Sequence, residues 1–303
     1  MQTTDTKPLS QRLFHTLIGL QEEQRTPAQV KEHYLVEKEL AHRLRVSSRE
    51  ERKVLYTSLY DELYQRVPLN PQLTLHTPDQ AGEEIESPQV RFLRRFLHKD
   101  AVVLEIGAGT CDTALAITRD VREVYALEVS EEITRSTHGP ENFSCLLFDG
   151  FDIPLRARSI DVVYSDQVLE HIHPDDAFEH MANVYAVLVD GGSYICITPN
   201  GLCGPHDISK YFDLVATGFH LKEYTNTELY RLFRRAGFAK VKAYIGIPAM
   251  YVRYPLLLLV VQEALLSRFP RKISRALARL TLSWNIRMVG IKPRSNASAR
   301  RKK

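Results

Sequence analysis

From about residue 88 the chain alternates short apolar runs with helical segments, and this rhythm confines it to few folds. Strands are expected at 101–107, 123–129, 143–149, 160–166 and 192–198, with helical stretches between most of them, as at 174–189. Such alternation argues for an α/β domain built on a parallel sheet covered on both faces. "KVKAYIGI" and "NIRMVGI" add two strands, and a long insertion, about 248–284, separates them with two helical patterns. Residues 1–87 read as a helical N-terminal cap, and 88–303 as the main domain with a basic tail at 294–303. In "SSREERKVLYTSLYDELYQRV", Ser48 stands three before Glu51, a capping box. Leu55, Leu59 and Leu63 then recur beside Tyr56, Tyr60 and Tyr64 to give one apolar face. A second box, Thr225 with Glu228, opens a helix that Gly237 stops.

Charge separates the body from the tail. Ala264–Lys303 holds twelve Lys or Arg and no Asp or Glu, so a whole-chain charge of +3 leaves the first 263 residues net negative. An acidic body without an RNA-binding motif weighs against nucleic acid as partner. The four cysteines show no paired spacing, and no export signal or spanning segment is read, so a reduced, cytoplasmic protein is expected.

The first strand runs into "VVLEIGAGTCDTA", residues 102–114. Glycines after a strand let the backbone turn tightly and come close to a ligand. A dinucleotide site wants a third small residue where this chain has Asp112. An acid there repels a diphosphate, and Glu105 ahead of the glycines adds negative charge. A cationic, phosphate-free ligand suits the loop better. Glu128 ends the second strand, where an acid accepts from ribose hydroxyls in NAD sites as well. Asp149 ends the third strand, with Phe148 or Phe151 able to face an adenine ring, and Ser165-Asp166-Gln167 ends the fourth.

"VLEIGAGT", "ALEVS", "FDGFDIPL", "DVVYSDQVLEHI" and "LVDGGSYICITPN", in this order, resemble class I S-adenosylmethionine-dependent methyltransferases, and most of all the small-molecule branch that includes ubiquinone-biosynthesis-type enzymes. The resemblance covers 88–247 and the last strand. It implies a Rossmann-like, seven-stranded sheet, mostly parallel with the last strand antiparallel, and S-adenosylmethionine as cofactor. It places Glu105, Gly107, Ala108 and Gly109 at the methionine end, Glu128 and Val129 at the ribose, and Phe148, Asp149 and Gly150 at the adenine. Asp166 and Gln167 fall beneath the sulfonium. Where the family often has a third glycine, this chain has Cys111. The stretch after the fifth strand forms part of the acceptor pocket in that family, which implicates Asp207, Tyr211 and Tyr224, with Tyr60 and Tyr64 contributed by the cap.

A hydroxyl acceptor usually needs a base. His206 with Asp207, or His220 near Tyr224, are the candidates for that role, whereas His171 is expected to pack against the cofactor. His171, His173, Asp175 and Asp176 form a dense cluster, but Pro174 breaks helical pairing and Pro-Asp-Asp reads as a helix start, so no metal is expected. In the insertion, Ile273, Leu277, Leu280 and Trp284 are expected on one face and Arg271, Arg275 and Arg279 on another. Three readings stand for residues 254–284: packing on the domain or a partner subunit, contact with an anionic membrane or lipid-linked acceptor, or closure over a soluble anionic one. The leading expectation is methylation, on oxygen, of a small or lipid-linked molecule. The rivals are a macromolecular (RNA or protein) methyltransferase and a non-catalytic cofactor-binding module. The N-terminal helices either cap the site or form a homodimer contact.

Overall fold

The computed structural model describes residues 25–71, 87–131, 137–247, 250–281 and 284–295. The N-terminal part of the expected cap, its link to the domain and the basic tail beyond Ser295 lie outside these residues. The cap begins with α1 (Pro27–Val46) and α2 (Arg49–Arg66). Ser48 and Glu51 form their capping box, and Thr26 with Gln29 forms another that the sequence reading passed over. Ion pairs Arg43–Glu62 at 2.7 Å and Arg66–Glu39 at 2.9 Å run in opposite chain directions, so the two helices are antiparallel.

The domain continues through α3 (Pro88–Arg94), β1 (Val102–Ile106), α4 (Asp112–Ala116), β2 (Glu123–Glu128), β3 (Phe143–Leu147), β4 (Ile160–Asp166), α5 (Ala177–Val187) and β5 (Leu188–Pro199). It ends with α6 (Asn226–Arg235), β6 (Lys240–Ile247), β7 (Met250–Tyr254), α7 (Leu256–Leu266), α8 (Arg271–Thr281) and β8 (Asn285–Ile291). The sheet order is β3-β2-β1-β4-β5-β8-β6-β7. It is Rossmann-like as expected, with eight strands rather than seven. The extra strand, β7, lies inside the expected insertion and forms an antiparallel hairpin with β6. β8 runs antiparallel to both β5 and β6, as anticipated for the last strand. β5 starts earlier than expected because a register shift near Ile160 lets Leu188 pair before the main ladder resumes at Ser193.

Alternation along the strands divides the core. On β1, Leu104 and Ile106 face a layer completed by Met181 and Val184 of α5 and Leu229 and Phe233 of α6. Val103 faces the opposite layer, with Phe92 and Leu93 of α3 and Ala114 of α4. β1 has β2 on one side and β4 on the other, so the connection direction reverses at its carboxyl end. A crevice opens there in such sheets.

The cap is fastened to this end of the sheet. Arg52 forms a buried bidentate pair with Asp176, both contacts 2.6 Å, and the Tyr56 hydroxyl accepts from the His173 backbone N–H at 2.7 Å. Arg45 donates to the carbonyls of Thr217, Gly218 and His220, and Glu37 accepts from the Phe219 N–H. The helices thus hold the 217–220 segment in place. Tyr56→Phe should destabilise the chain by about 1–2 kcal/mol, because a buried N–H loses its acceptor. Chemical denaturation measures this, and an unchanged midpoint would mean the cap does not depend on that bond.

The insertion packs through one stripe only. Glu263 of α7 accepts from the backbone N–H groups of Asn226 and Thr227, at 2.6 and 2.9 Å, and so anchors α7 to the start of α6. Ser274 and Ala278 are the buried positions of α8. The expected apolar face of α8 is split: Leu277 packs inward, while Ile273 and Leu280 are exposed. Arg279 turns toward the domain instead, donating to the Cys203 carbonyl and covering the Trp284 ring.

Candidate functional site

The tip of β1 is tied to its neighbour before any ligand is considered. The N–H groups of Gly107 and Ala108 both donate to the Leu127 carbonyl, at 2.8 and 3.1 Å. Gly107 holds φ at +67°, and a Cβ there would lie 2.4 Å from Val168 Cγ2. Only glycine fits both the backbone conformation and the close approach. Cys111, in the slot expected for a third glycine, sits at φ +63° with its thiol buried. Glu128 accepts from the N–H groups of Gly109, Val129 and Ser130, at 2.8, 2.8 and 3.2 Å. It therefore shapes the glycine loop and keeps lone pairs for a ligand hydroxyl.

A cleft of about 240 Å³ opens over these tips. Of the expected cofactor residues, it brings together Gly107, Gly109, Glu128, Val129, Phe148, Gly150, Asp166, Gln167 and His171. Glu105 and Ala108 do not line it. Glu105 lies behind the loop, where it accepts from the Ala114 N–H. Asp149 does not line it either: its Oδ1 accepts from the N–H groups of Phe151 and Asp152, so its first task is to fold the turn.

Two carboxyls, Glu128 and Asp166, line the cleft, and a third, Glu105, is buried behind its glycine loop. Burial, with Asp166, Asp112 and Glu128 nearby, pushes the Glu105 carboxyl up to about 8, and its Oε2 has no hydrogen-bond partner. Burial also raises Glu128 and Asp166. Because burial disfavours their charged form, a ligand that brings positive charge would favour their ionisation and be held by it.

The acceptor side departs from the sequence reading. Burial alone would lower the His220 pKa, but Glu223, Glu170 and Asp207 raise it to about 9. His220 Nδ1 lies 2.8 Å from Glu223 Oε1, and His206 Nδ1 lies 3.3 Å from Glu223 Oε2. His220 is engaged by Glu223 and does not line the cleft, so its ring is not presented there as a base. His206 packs edge-on to Trp284 and does not line the cleft. Asp207 is occupied with Ser209 and the Gly218 N–H, a turn-forming role rather than a ligand contact. Tyr211 faces solvent, and Tyr224 is buried with its hydroxyl unpaired. None of these three lines the cleft.

The cap supplies what the sequence reading gave it and more. Tyr60 and Tyr64 line the cleft, joined by Tyr56. Tyr60 stacks on Phe219 with ring centres 4.9 Å apart and meets His171 edge-on at 6.0 Å. His180 of α5 also lines the cleft with an unpaired Nε2, and burial drops its pKa to about 4, so it is neutral. Nothing local distinguished it, because it sits on the buried face of an ordinary helix.

S-adenosylmethionine fits these residues. Gly107, Gly109, Glu128 and Asp166 line one cleft, and the buried Glu105 Oε2 behind the glycine loop has no hydrogen-bond partner, a place toward which a cationic end would lie. Residues 104–196 match the family described as "Methyltransferase domain". A Mycolicibacterium smegmatis protein described as "Probable S-adenosylmethionine-dependent methyltransferase" is 32% identical over 45% of this chain and 51% of its own length. An "Uncharacterized methyltransferase" of Staphylococcus carnosus is 27% identical over 43% of this chain and 58% of its own. The chain thus spans little more than half the length of these curated relatives. Among solved structures, Haemonchus contortus phosphoethanolamine N-methyltransferase 2 with S-adenosyl-L-methionine shares the fold at TM-score 0.51 and 15% identity, over 77% of this chain and 60% of that one. The [4+2]-cyclase SpnF does so at TM-score 0.50 and 14% identity, over 79% and 97%. The matched segment, the sheet order and the acids at the strand tips converge: residues 104–196 match the methyltransferase-domain family, and the described chain shares the fold of S-adenosylmethionine-dependent methyltransferases.

Proposed function

We propose that the whole chain transfers a methyl group from S-adenosylmethionine to a hydroxyl of a small or lipid-linked acceptor that enters beneath the tyrosines of the cap. The observation that carries this reading is the roof of the cleft. Tyr56, Tyr60 and Tyr64 line the same cleft as the strand tips, and their rings suit a compact aromatic or apolar acceptor. The cofactor, when bound, supplies an activated methyl on a sulfonium. The protein's part is alignment and exclusion of water, and positioning of this kind contributes about 7–11 kcal/mol to such reactions. Glu128 orients the nucleoside, Gly107 permits close approach, and Tyr60 against Phe219 and His171 walls off solvent. Incubating the protein with labelled cofactor and fractionated cell extract tests the reading. Label on a small or lipid-soluble product supports it, and label found only on RNA or protein would sink it.

The lipid-linked form of the acceptor draws support from the insertion. Leu257, Leu258, Val261 and Leu265 of α7, with Phe269, Ile273 and Leu280, are all about half exposed or more. Arg268, Arg271 and Lys272 are exposed beside them. An apolar surface ringed by cations suits the headgroup region of an anionic bilayer. The chain should float with vesicles containing anionic lipid and not with purely zwitterionic ones. Leu257→Glu with Leu265→Glu should abolish flotation, and equal recovery of variant and wild type would remove the membrane from the proposal. Among the described residues no helix is long and apolar enough to cross a membrane.

A further inference from the structure

We propose that Glu170, His171 and His220 form a binding site for one divalent transition-metal ion at the acceptor end of the cleft. The three side chains each offer a ligand atom, and these atoms lie within 4.8 Å of one another. Glu170 is fully buried, and its Oε1 accepts no hydrogen bond. The other carboxyl oxygen is fixed by the Thr198 hydroxyl at 2.9 Å, so Oε1 has a set direction, and His171 Nε2 lies 4.0 Å from it.

Both imidazoles are held as metal ligands usually are. A ligating histidine commonly donates its second ring N–H to a carbonyl or carboxylate, which fixes its tautomer and aims the other nitrogen. His171 Nδ1 stands 3.1 Å from the Phe219 carbonyl, leaving Nε2 for the site. His220 Nδ1 stands 2.8 Å from Glu223, leaving its Nε2 in turn. The rings meet edge-on with centres 4.9 Å apart. A tetrahedral ion with bonds of about 2.1 Å draws its ligands to about 3.4 Å of each other, a contraction that small side-chain rotations supply.

Two histidines and a carboxylate leave coordination positions open, and His171 lines the cleft. An acceptor hydroxyl that occupies an open position loses its proton to solvent more readily, since a bound cation stabilises the alkoxide or phenolate. Its oxygen then forms the O–C bond as the S–C bond of the donor breaks, and sulfur keeps the electron pair. Such an ion would activate an acceptor hydroxyl without a side-chain base. The chemical consequence rests on the methyl-transfer reading; binding of the ion does not.

The test titrates Zn²⁺ and, separately, Co²⁺ into chelator-treated full-length protein by calorimetry and visible absorption. S-adenosylmethionine binding is measured on the same samples. One ion per chain is expected, with affinity at least 30-fold weaker in Glu170→Gln and in His171→Gln, and with unchanged melting profiles. Cofactor affinity should stay within about threefold in Glu170→Gln. If one variant unfolds, the other decides. Absence of stoichiometric binding in wild type, or equal affinity in a folded variant, overturns the site. A wild type that binds the ion but not S-adenosylmethionine would instead overturn the cofactor reading and leave the metal site standing.

Discussion

Glu128→Ala should weaken S-adenosylmethionine binding by on the order of 10²–10³-fold, because hydrogen bonds to a charged group contribute about 1.5–3 kcal/mol each. Two separate losses combine. The ribose would lose its acceptor, and the N–H groups of Gly109, Val129 and Ser130 would lose the carboxylate that orients them. Glu128→Gln, which keeps the shape and one acceptor oxygen, should fall between the two. Calorimetry with the cofactor measures both. An alanine variant with wild-type affinity would mean that the nucleoside does not sit at the tip of β2.

The second large effect is one of pH. In the native chain the Glu105 pKa is pushed up to about 8, mainly by burial and with help from Asp166, Asp112 and Glu128, from an ordinary value of 4.5. The sign follows from linkage. A carboxyl whose pKa is raised on folding favours the native state while it keeps its proton, and that contribution is lost as pH rises from the unfolded value through the folded one. The cofactor-free protein should therefore lose up to about 5 kcal/mol from this group between roughly pH 4.5 and pH 8. Glu105→Gln resembles the protonated form at every pH. The stability advantage of the variant over wild type should grow across that window and then level off. Denaturant titrations at several pH values read this difference directly, which cancels other titrating groups such as His220 and Glu170. A cationic ligand reverses the preference. Wild type should gain more stability from S-adenosylmethionine than Glu105→Gln does, and its affinity should rise as pH approaches 8. A pH-independent difference between the two proteins would show that Glu105 stays ionised and solvated.

The histidines mark the limit of reading chemistry from spacing. His206 and His220 are candidates through their sequence neighbours Asp207 and Tyr224, whereas in the fold both rings lie against a different residue, Glu223. The carboxylates of Glu223, Glu170 and Asp207 raise the His220 pKa against the effect of burial. His180, which faces the cleft neutral and unpaired, carried no local mark at all. Glu170 and His171 were legible as neighbours at a strand end. Their meeting with His220, across 49 positions of sequence, depends on a segment clamped by Arg45 and Glu37 from the cap.

The sequence by itself determined the sheet, the glycine turn and the acids at the strand tips. Each of these is written in spacing along a single stretch of chain: strand runs, a positive-φ glycine, a carboxylate at the last paired position of β2 and of β4. The cap helices were also set locally, by their capping boxes and tyrosine rows. Tertiary structure decided where those helices dock, through the buried Arg52–Asp176 pair between residues 124 apart. It also decided that β7 pairs as an eighth strand, and that Arg279 turns inward while Leu280 faces out. The physical reason is common to all three. A surface has no preferred neighbour until another surface of matching shape and charge is folded against it, and periodicity within one element does not encode that partner.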